Sequence, residues 1–310
     1  MEIACSTDHN FALFLGVALF SICGKNKGHA HRFHAIIGDD VSDADKRMLS
    51  GVVSRFGHSV SFYTIGEKII RELPVGQPGQ PPHITPAAYY RLFLASLLPD
   101  DIDKVLYLDC DILNVSGLSD LWGMDISGYA IAAAPDMYTC ERSVYDRLGY
   151  PVSLGYFNSG VMLVNLKYWR DNNIQEEFMK FWYEHPERVL FHDQDILNFV
   201  LRNRKKTVHL KFNVQEPMLH KVLPLPDSFK SEIEEALSSP VIIHFTTPSK
   251  PWVSGCKHPY KKAYFKIHEL SGLPKFKIVR RKISLYWRLR NSMNSLGILR
   301  KADGYRRVVL

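Results

Sequence analysis

The stretch Lys104-Val105-Leu106-Tyr107-Leu108-Asp109-Cys110-Asp111 constrains the chain most. A short run of valine, leucine and tyrosine bounded by polar residues reads as a buried strand of a parallel sheet. It ends in two carboxylates two residues apart. Side chains alternate along a strand, so Asp109 and Asp111 are expected to point one way and Cys110 the other. In open α/β sheets the ligand sits beyond the carboxyl ends of the strands. Two aligned carboxylates there form an oxygen-rich half-site suited to Mg²⁺ or Mn²⁺, and such an ion usually also holds a phosphate or diphosphate.

The chain before this stretch fits the same picture. Residues 2–6 read as a strand, 11–24 as a buried helix and 32–37 as a second strand. Residues 42–56 read as a helix N-capped by Ser42, and 59–64 as a third strand. A βαβαβ opening implies a parallel sheet with helices on its faces. Residues 73–86 hold five prolines and two glycines and read as a long binding loop. A helix over 87–97 carries Tyr89, Tyr90 and Arg91. Strands are expected over 129–134, running into Pro135-Asp136, over 158–165, and over 241–243, ending at His244. Residues 166–183 read as largely helical, and His192-Asp193-Gln194-Asp195 as the lead into a short helix over 196–200. There is no internal repeat.

The 310 residues allow one large domain or two small ones, and 46% hydrophobic with 23% charged residues is an ordinary globular balance. The formal charge of +7 is misleading. Residues 275–310 carry 11 Lys and Arg against one acid, +10, which leaves the body at −3. A slightly acidic body argues against a nucleic-acid-binding fold. The five scattered cysteines contain no CxxC pair, so neither a zinc site nor a disulfide framework is indicated, and a reducing compartment is the simpler reading. The apolar run 11–23 resembles a signal-peptide core. However, Asp8 and His9 stand where basic residues belong, and thirteen residues are too few to span a bilayer.

Beyond Lys275, Val279, Ile283, Tyr286, Leu289, Met293 and Leu296 fall near helical spacing with Arg and Lys between them. A basic amphipathic helix with aromatics suits an anionic membrane surface, and a helix packed on the body is the alternative.

Six blocks in order, from residue 1 to about 255, carry a resemblance. They are Ala4-Cys5-Ser6-Thr7-Asp8-His9-Asn10, Tyr89-Tyr90-Arg91-Leu92, the Asp109-Cys110-Asp111 strand, and Phe157-Asn158-Ser159-Gly160-Val161-Met162-Leu163. Asp193-Gln194-Asp195-Ile196-Leu197-Asn198 follows, then His244-Phe245 with Lys250-Pro251-Trp252. The chain resembles the retaining glycosyltransferases of family 8, of the bacterial lipopolysaccharide galactosyl- and glucosyltransferase type. The resemblance implies a GT-A fold, a Rossmann-like and mostly parallel sheet flanked by helices. With the basic tail read above, the chain is expected to divide into a transferase domain over 1–270 and a basic membrane-association tail over 271–310. Within the domain, about 1–115 would form the donor part and 116–255 the acceptor part.

The implied roles follow residue by residue. Asp109, Asp111 and His244 would hold Mn²⁺, with Mg²⁺ an alternative. Asp8 and Asn10 would contact the uracil–ribose part of UDP. Arg91, Asp109, Thr247 and Lys250 would serve the donor sugar or its diphosphate, and Lys250 would neutralise the leaving group. Asn158, Asp193 and Gln194 would surround the transferred sugar. His83, in the Pro-rich loop, and Asp136 are acceptor candidates. Relatives often carry a glycine near position 247, where this chain has Thr247.

The implied reaction moves galactose or glucose from UDP-galactose or UDP-glucose, with retention at the anomeric carbon, to a lipopolysaccharide or related cell-surface glycan. It would occur on the cytoplasmic face of a membrane. A covalent route needs a nucleophile beneath the sugar. Gln194 is a neutral amide, so Asp193 or Asp195 would serve if either reaches. Front-side attack needs no nucleophile and is the preferred reading. Three alternatives stand beside it: a glycogenin-like self-glucosylating primer, a phosphatase forming an aspartyl-phosphate, and a non-catalytic nucleotide-binding membrane adaptor.

Overall fold

The computed structural model describes residues 1–28, 30–73, 85–138, 141–221, 225–280 and 304–308. Its main sheet has seven strands: β1 (Glu2–Thr7), β2 (Arg32–Ile37), β3 (Ser59–Thr64), β4 (Lys104–Leu108), β6 (Ile131–Pro135), β7 (Phe157–Asn165) and β8 (Lys205–Thr207). Their order is β3-β2-β1-β4-β7-β6-β8. The first four are parallel, β7 runs antiparallel to both β4 and β6, and β8 is parallel to β6. A second sheet joins β5 (Ile112–Asn114), β10 (Ile242–His244) and β9 (Val214–Gln215). This is the expected α/β fold, a mostly parallel sheet with helices on both faces.

Alternation along β4 explains why the strand reads as continuously apolar. Leu106 and Leu108 enter one core layer with Leu15, Leu19 and Ile22, while Val105 and Tyr107 enter the other with Tyr89, Trp169 and Phe178. Each face is covered, so neither set of alternate positions is free to be polar. Helix α1 (His9–Lys25) packs against α2 (Asp43–Ser54), β1, β5 and the helix Lys261–Ser271. Its sides are therefore apolar nearly all round. Asp8 caps it, accepting the Phe11 N–H at 2.9 Å. Ser42 caps α2 in a capping box with Asp45.

Several elements differ from expectation. The Tyr89-Tyr90-Arg91 segment is a 3₁₀ helix over Pro86–Phe93, followed by one α turn over Leu94–Leu97. Three residues per turn put Ala88 and Arg91 on one face, and Arg91 Nε donates to the Ala88 carbonyl at 2.9 Å. The helical region after β7 is broken at Asn173, whose φ of 51° ends Leu166–Asp171 before Ile174–Glu184 begins. Residues 192–195 form the first turn of a helix, His192–Leu201, rather than a lead into one.

Where the tail is described, it lies on the body. Phe276 packs edge-on against Phe14 at 5.4 Å, and Val279 forms a parallel bridge to Val253. The backbone at Val279 is thus extended, not helical. Tyr305 bridges to His220 and stacks on its ring at 4.7 Å. Ile283, Tyr286, Leu289, Met293 and Leu296 lie outside the described residues. No helix among the described residues is long and apolar enough to cross a membrane. Cys5, Cys23, Cys110 and Cys256 are free and buried.

Candidate active site

Four chain segments meet at the carboxyl end of β4. Asp109 and Asp111 sit in the turn between β4 and β5, not on the strand itself. Two backbone bonds hold that turn: Asp109 N–H donates to the Gly160 carbonyl at 2.9 Å, and Phe245 N–H to the Asp111 carbonyl at 3.0 Å. The first ties the turn to β7 and the second to the residue after β10. The reversal turns both carboxylates toward His244, at the end of β10, while Cys110 points away and donates to the Ser6 carbonyl. Ligand atoms of Asp109, Asp111 and His244 lie within 4.8 Å of one another. His244 Nε2 is 3.1 Å from Asp111 Oδ1 and 3.7 Å from Asp109 Oδ2.

Two observations test whether these residues suit a divalent cation. Asp111 Oδ1 is buried and accepts no hydrogen bond. A Cβ built on Gly160 would lie 2.2 Å from His244 Cε1, 2.5 Å from Asp109 Oδ2 and 2.9 Å from His244 Nε2. The missing side chain of Gly160 is therefore what leaves room between the ligands. Two carboxylates and an imidazole are a donor set for Mn²⁺ or Mg²⁺, and they fit.

Charge around the cluster is tightly paired. Burial alone would raise the Asp111 carboxyl, but the Lys250 ammonium holds it well below the usual carboxylate range. Lys250 Nζ bonds both Asp111 Oδ2 and the Phe245 carbonyl. Arg91 is buried between two acids, with Nη2 2.8 Å from Asp109 and Nε 3.1 Å from Asp193. Its Nη1 donates to the Ser159 carbonyl at 2.8 Å, and the guanidinium lies over the Tyr107 ring at 4.6 Å. Burial pushes Asp193 up to about 6, with Arg91 pulling the other way.

A cavity of about 490 Å³ opens beside the cluster. That volume suits a small-molecule ligand. Asp8, Arg91, Asp109, Asp111, Asp136, Asn158, Asp193, Gln194, His244, Thr247 and Lys250 all line it. Asn10 does not; it is exposed on the first turn of α1. His83 lies outside the described residues.

Asp195 is a correction. It is fully buried and turned away from the cavity. Arg147 holds it in a two-pronged ion pair at 2.8 and 3.1 Å. The Tyr156 hydroxyl and the backbone N–H groups of Leu190 and Phe191 complete its shell. Every lone pair is spoken for, so it braces the loop before the helix. Asp195→Ala is expected to lower stability by about 3–5 kcal/mol in urea unfolding, by stranding Arg147 in a buried site. Calorimetric Mn²⁺ affinity of the folded variant should stay at the wild-type value.

Other residues of the site carried no sequence signal. Asn213 Oδ1 lies 3.0 Å from His244 Nδ1, and Asn213 Nδ2 donates to Asn158 Oδ1 at 2.9 Å. Gln215 holds the bend that carries Asp136, accepting from Met137 N–H and donating to the Pro135 carbonyl. The β6–β7 register shifts between Ala133 and Pro135, and Asp136 leaves the sheet directly after it. Thr247, in place of the expected glycine, gives its hydroxyl proton to the buried Glu216, which also accepts from Tyr305. His192 lines the cavity with a left-handed φ of 55°, a strained backbone for a non-glycine residue.

Residues 2–256 match Glycosyl transferase family 8. The chain is 31% identical over 270 residues to General stress protein A of Bacillus subtilis (strain 168), covering 86% of this chain and 92% of that protein. It is 30% identical over 271 residues to Lipopolysaccharide 1,3-galactosyltransferase of Salmonella typhimurium (strain LT2), covering 85% of this chain and 76% of that one. The crystal structure of the galactosyltransferase LgtC in complex with donor and acceptor sugar analogs superposes with a TM-score of 0.76 at 23% identity. The match covers 94% of this chain and all of the other.

Proposed function

The chain belongs to glycosyl transferase family 8 and is a glycosyltransferase of the GT-A fold, and on that premise we propose that it transfers a hexose from a UDP-sugar, with Mn²⁺, to a cell-surface glycan. The observation that carries the metal-dependent reading is the Asp109/Asp111/His244 cluster with Gly160 making room between its members. A bound divalent cation stabilises negative charge on a departing diphosphate. Lys250, already against Asp111, adds a second positive charge on the same side. Residues 1–115 contribute Asp8, Arg91, Asp109 and Asp111 as the donor part, and residues 116–255 contribute the acceptor part. His244 and Lys250 reach back from the second to the first.

Arg91 has its own role here. Paired with Asp109 and Asp193, it fixes both carboxylates before substrate arrives, so neither reorganises during the reaction. Asp193 is further held by the Ser159 hydroxyl at 3.0 Å. With Asp193 in an ion pair and Asp195 behind the wall, the arrangement favours front-side attack over a covalent intermediate. Gln194 is anchored through Oε1 by the Ser159 N–H at 2.9 Å and through Nε2 by Asp136 at 3.3 Å. It offers an oriented dipole beside the sugar, not a nucleophile. Tyr138 and Phe191 line the cavity and remain 48% and 40% exposed. Exposed aromatic faces there suit a sugar acceptor. A lipopolysaccharide-type acceptor is favoured by likeness to the Salmonella galactosyltransferase.

Retention and donor choice are tested together by incubating the enzyme with UDP-galactose, UDP-glucose and UDP-N-acetylglucosamine and water as acceptor, followed by ¹H NMR. One hexose released first as the α-anomer is expected; β-anomer first would refute retention.

The basic tail is assigned to an anionic membrane surface on the cytoplasmic side. Serine at Arg280, Arg281, Lys282, Arg288 and Arg290 removes five positive charges, each worth about 1 kcal/mol near such a surface. Flotation with phosphatidylglycerol vesicles should then fail. Unchanged flotation would favour a tail packed on the body.

A further inference from the structure

We propose that Asp136, Asn158 and Asn213 form a hydrogen-bond relay whose polarity fixes the tautomer of His244, leaving its Nε2 lone pair free for a divalent cation. The proposal rests on the metal reading above.

An imidazole ligates through a nitrogen without a proton, and the hydrogen bond at the other ring nitrogen decides which one that is. Asn and Gln amides have a donor end and an acceptor end of nearly the same size and shape. The orientation must therefore be read from partners whose polarity is not in question. Two such partners are present. The Asp136 side chain presents only oxygens; its Oδ2 lies 2.9 Å from the Asn158 amide nitrogen. The backbone N–H of Gly160 donates only, and it lies 3.1 Å from Asn158 Oδ1. Both impose the same orientation on Asn158: nitrogen toward Asp136, oxygen toward Gly160.

The consequence passes along the chain. Asn158 Oδ1 is an acceptor, so the atom of Asn213 that faces it at 2.9 Å is the NH₂ group. The other end of Asn213 is then its carbonyl oxygen, which faces His244 Nδ1 at 3.0 Å. That oxygen requires a proton on Nδ1. A neutral His244 with Nδ1–H has no proton on Nε2, and Nε2 is the nitrogen that faces Asp111 and Asp109. An Asn213 turned the other way would favour Nε2–H, which would spend the lone pair as a donor to Asp111. All four side chains are buried, so water does not compete for these bonds.

The relay also explains why an asparagine stands at 213, 31 residues before the histidine it serves. A carboxylate at 213 accepts from Nδ1 as the amide does. An apolar residue of similar size does not. The two replacements therefore separate polarity from packing.

The test uses full-length, metal-free protein labelled with ¹⁵N-histidine at pH 8, with His244→Gln used to identify the His244 signals among 13 histidines. In the wild type, two-dimensional ¹H–¹⁵N spectra should show the protonated nitrogen of His244 to be Nδ1. In Asn213→Leu the population should shift toward Nε2–H, and Mn²⁺ affinity by calorimetry should fall about 10- to 100-fold. Asn213→Asp keeps an acceptor toward Nδ1 but sets an oxygen against Asn158 Oδ1, so it should keep Nδ1–H and recover part of the Mn²⁺ affinity that Asn213→Leu loses. Nε2–H in the wild type would overturn the relay, as would Asn213→Leu behaving like wild type while folded. Failure of the wild type to bind Mn²⁺ with Nδ1–H present would instead refute the metal reading and leave the relay standing.

Discussion

Gly160→Ala is expected to abolish metal binding while leaving the fold in place. The added Cβ would sit 2.2 Å from His244 Cε1 and 2.5 Å from Asp109 Oδ2. Both neighbours of that Cβ, and Gly160 itself, are tied in place. Gly160 lies within β7 between two paired strands, and its carbonyl is bonded to the Asp109 N–H. His244 is buried and tied to Asn213, and Asp109 is held by Arg91. The methyl therefore displaces ligands, not solvent. A displacement of about 1 Å costs on the order of 10²-fold in rate at a site that depends on position. Overpacking typically costs about 1–3 kcal/mol of stability, which a domain of this size tolerates. Calorimetric titration with Mn²⁺ and far-UV circular dichroism read the two effects separately. Wild-type Mn²⁺ affinity in the folded variant would mean that the cavity between these residues is not where the ion binds.

Asp111→Asn should cost at least about 10³-fold in turnover. Metal-ion stabilisation of the leaving group amounts to several kcal/mol, and each 1.4 kcal/mol is about tenfold. The same change carries a pH signature. Asp111 is held below the usual carboxylate range in the folded protein. A depressed folded value contributes stability above the unfolded value of about 3.9, and that contribution is lost as pH falls through the folded value. In EDTA at pH 7 the variant should be less stable than wild type, on the order of 3 kcal/mol, because Lys250 loses its buried partner. The difference should shrink on acidification below pH 4. A difference in urea midpoint that stays constant from pH 7 to pH 3 would contradict the assigned pairing.

Sequence periodicity carried most of the fold because both faces of β4 are covered and α1 is enclosed, so buried runs stand out as runs. It was weaker where two readings share one pattern. Asp109 and Asp111 do converge, but through a turn held by Gly160 and Phe245 rather than through strand alternation. Asp193 and Asp195 fail to converge for a related reason. On a helix at 3.6 residues per turn, positions two apart point about 200° from one another. As a lead into the helix the segment left open whether Asp193 or Asp195 reaches the sugar, whereas the first helical turn sends Asp193 to the cavity and Asp195 to Arg147. Asn213, Gln215 and Glu216 were illegible because their roles arise only when β9 pairs with β10 in the second sheet and sets 213–216 against His244 and Thr247. No local spacing encodes that approach. The strained backbone of His192 is likewise a product of tertiary contacts, with Tyr89 at 3.0 Å from its ring.

The most direct test of the account is release of UDP from UDP-galactose and UDP-glucose by the purified enzyme, in Mn²⁺ and in EDTA, without acceptor. Slow release from one donor in Mn²⁺ and none in EDTA is expected. Equal release in EDTA would contradict the assignment of Asp109, Asp111 and His244 as the metal centre of the reaction.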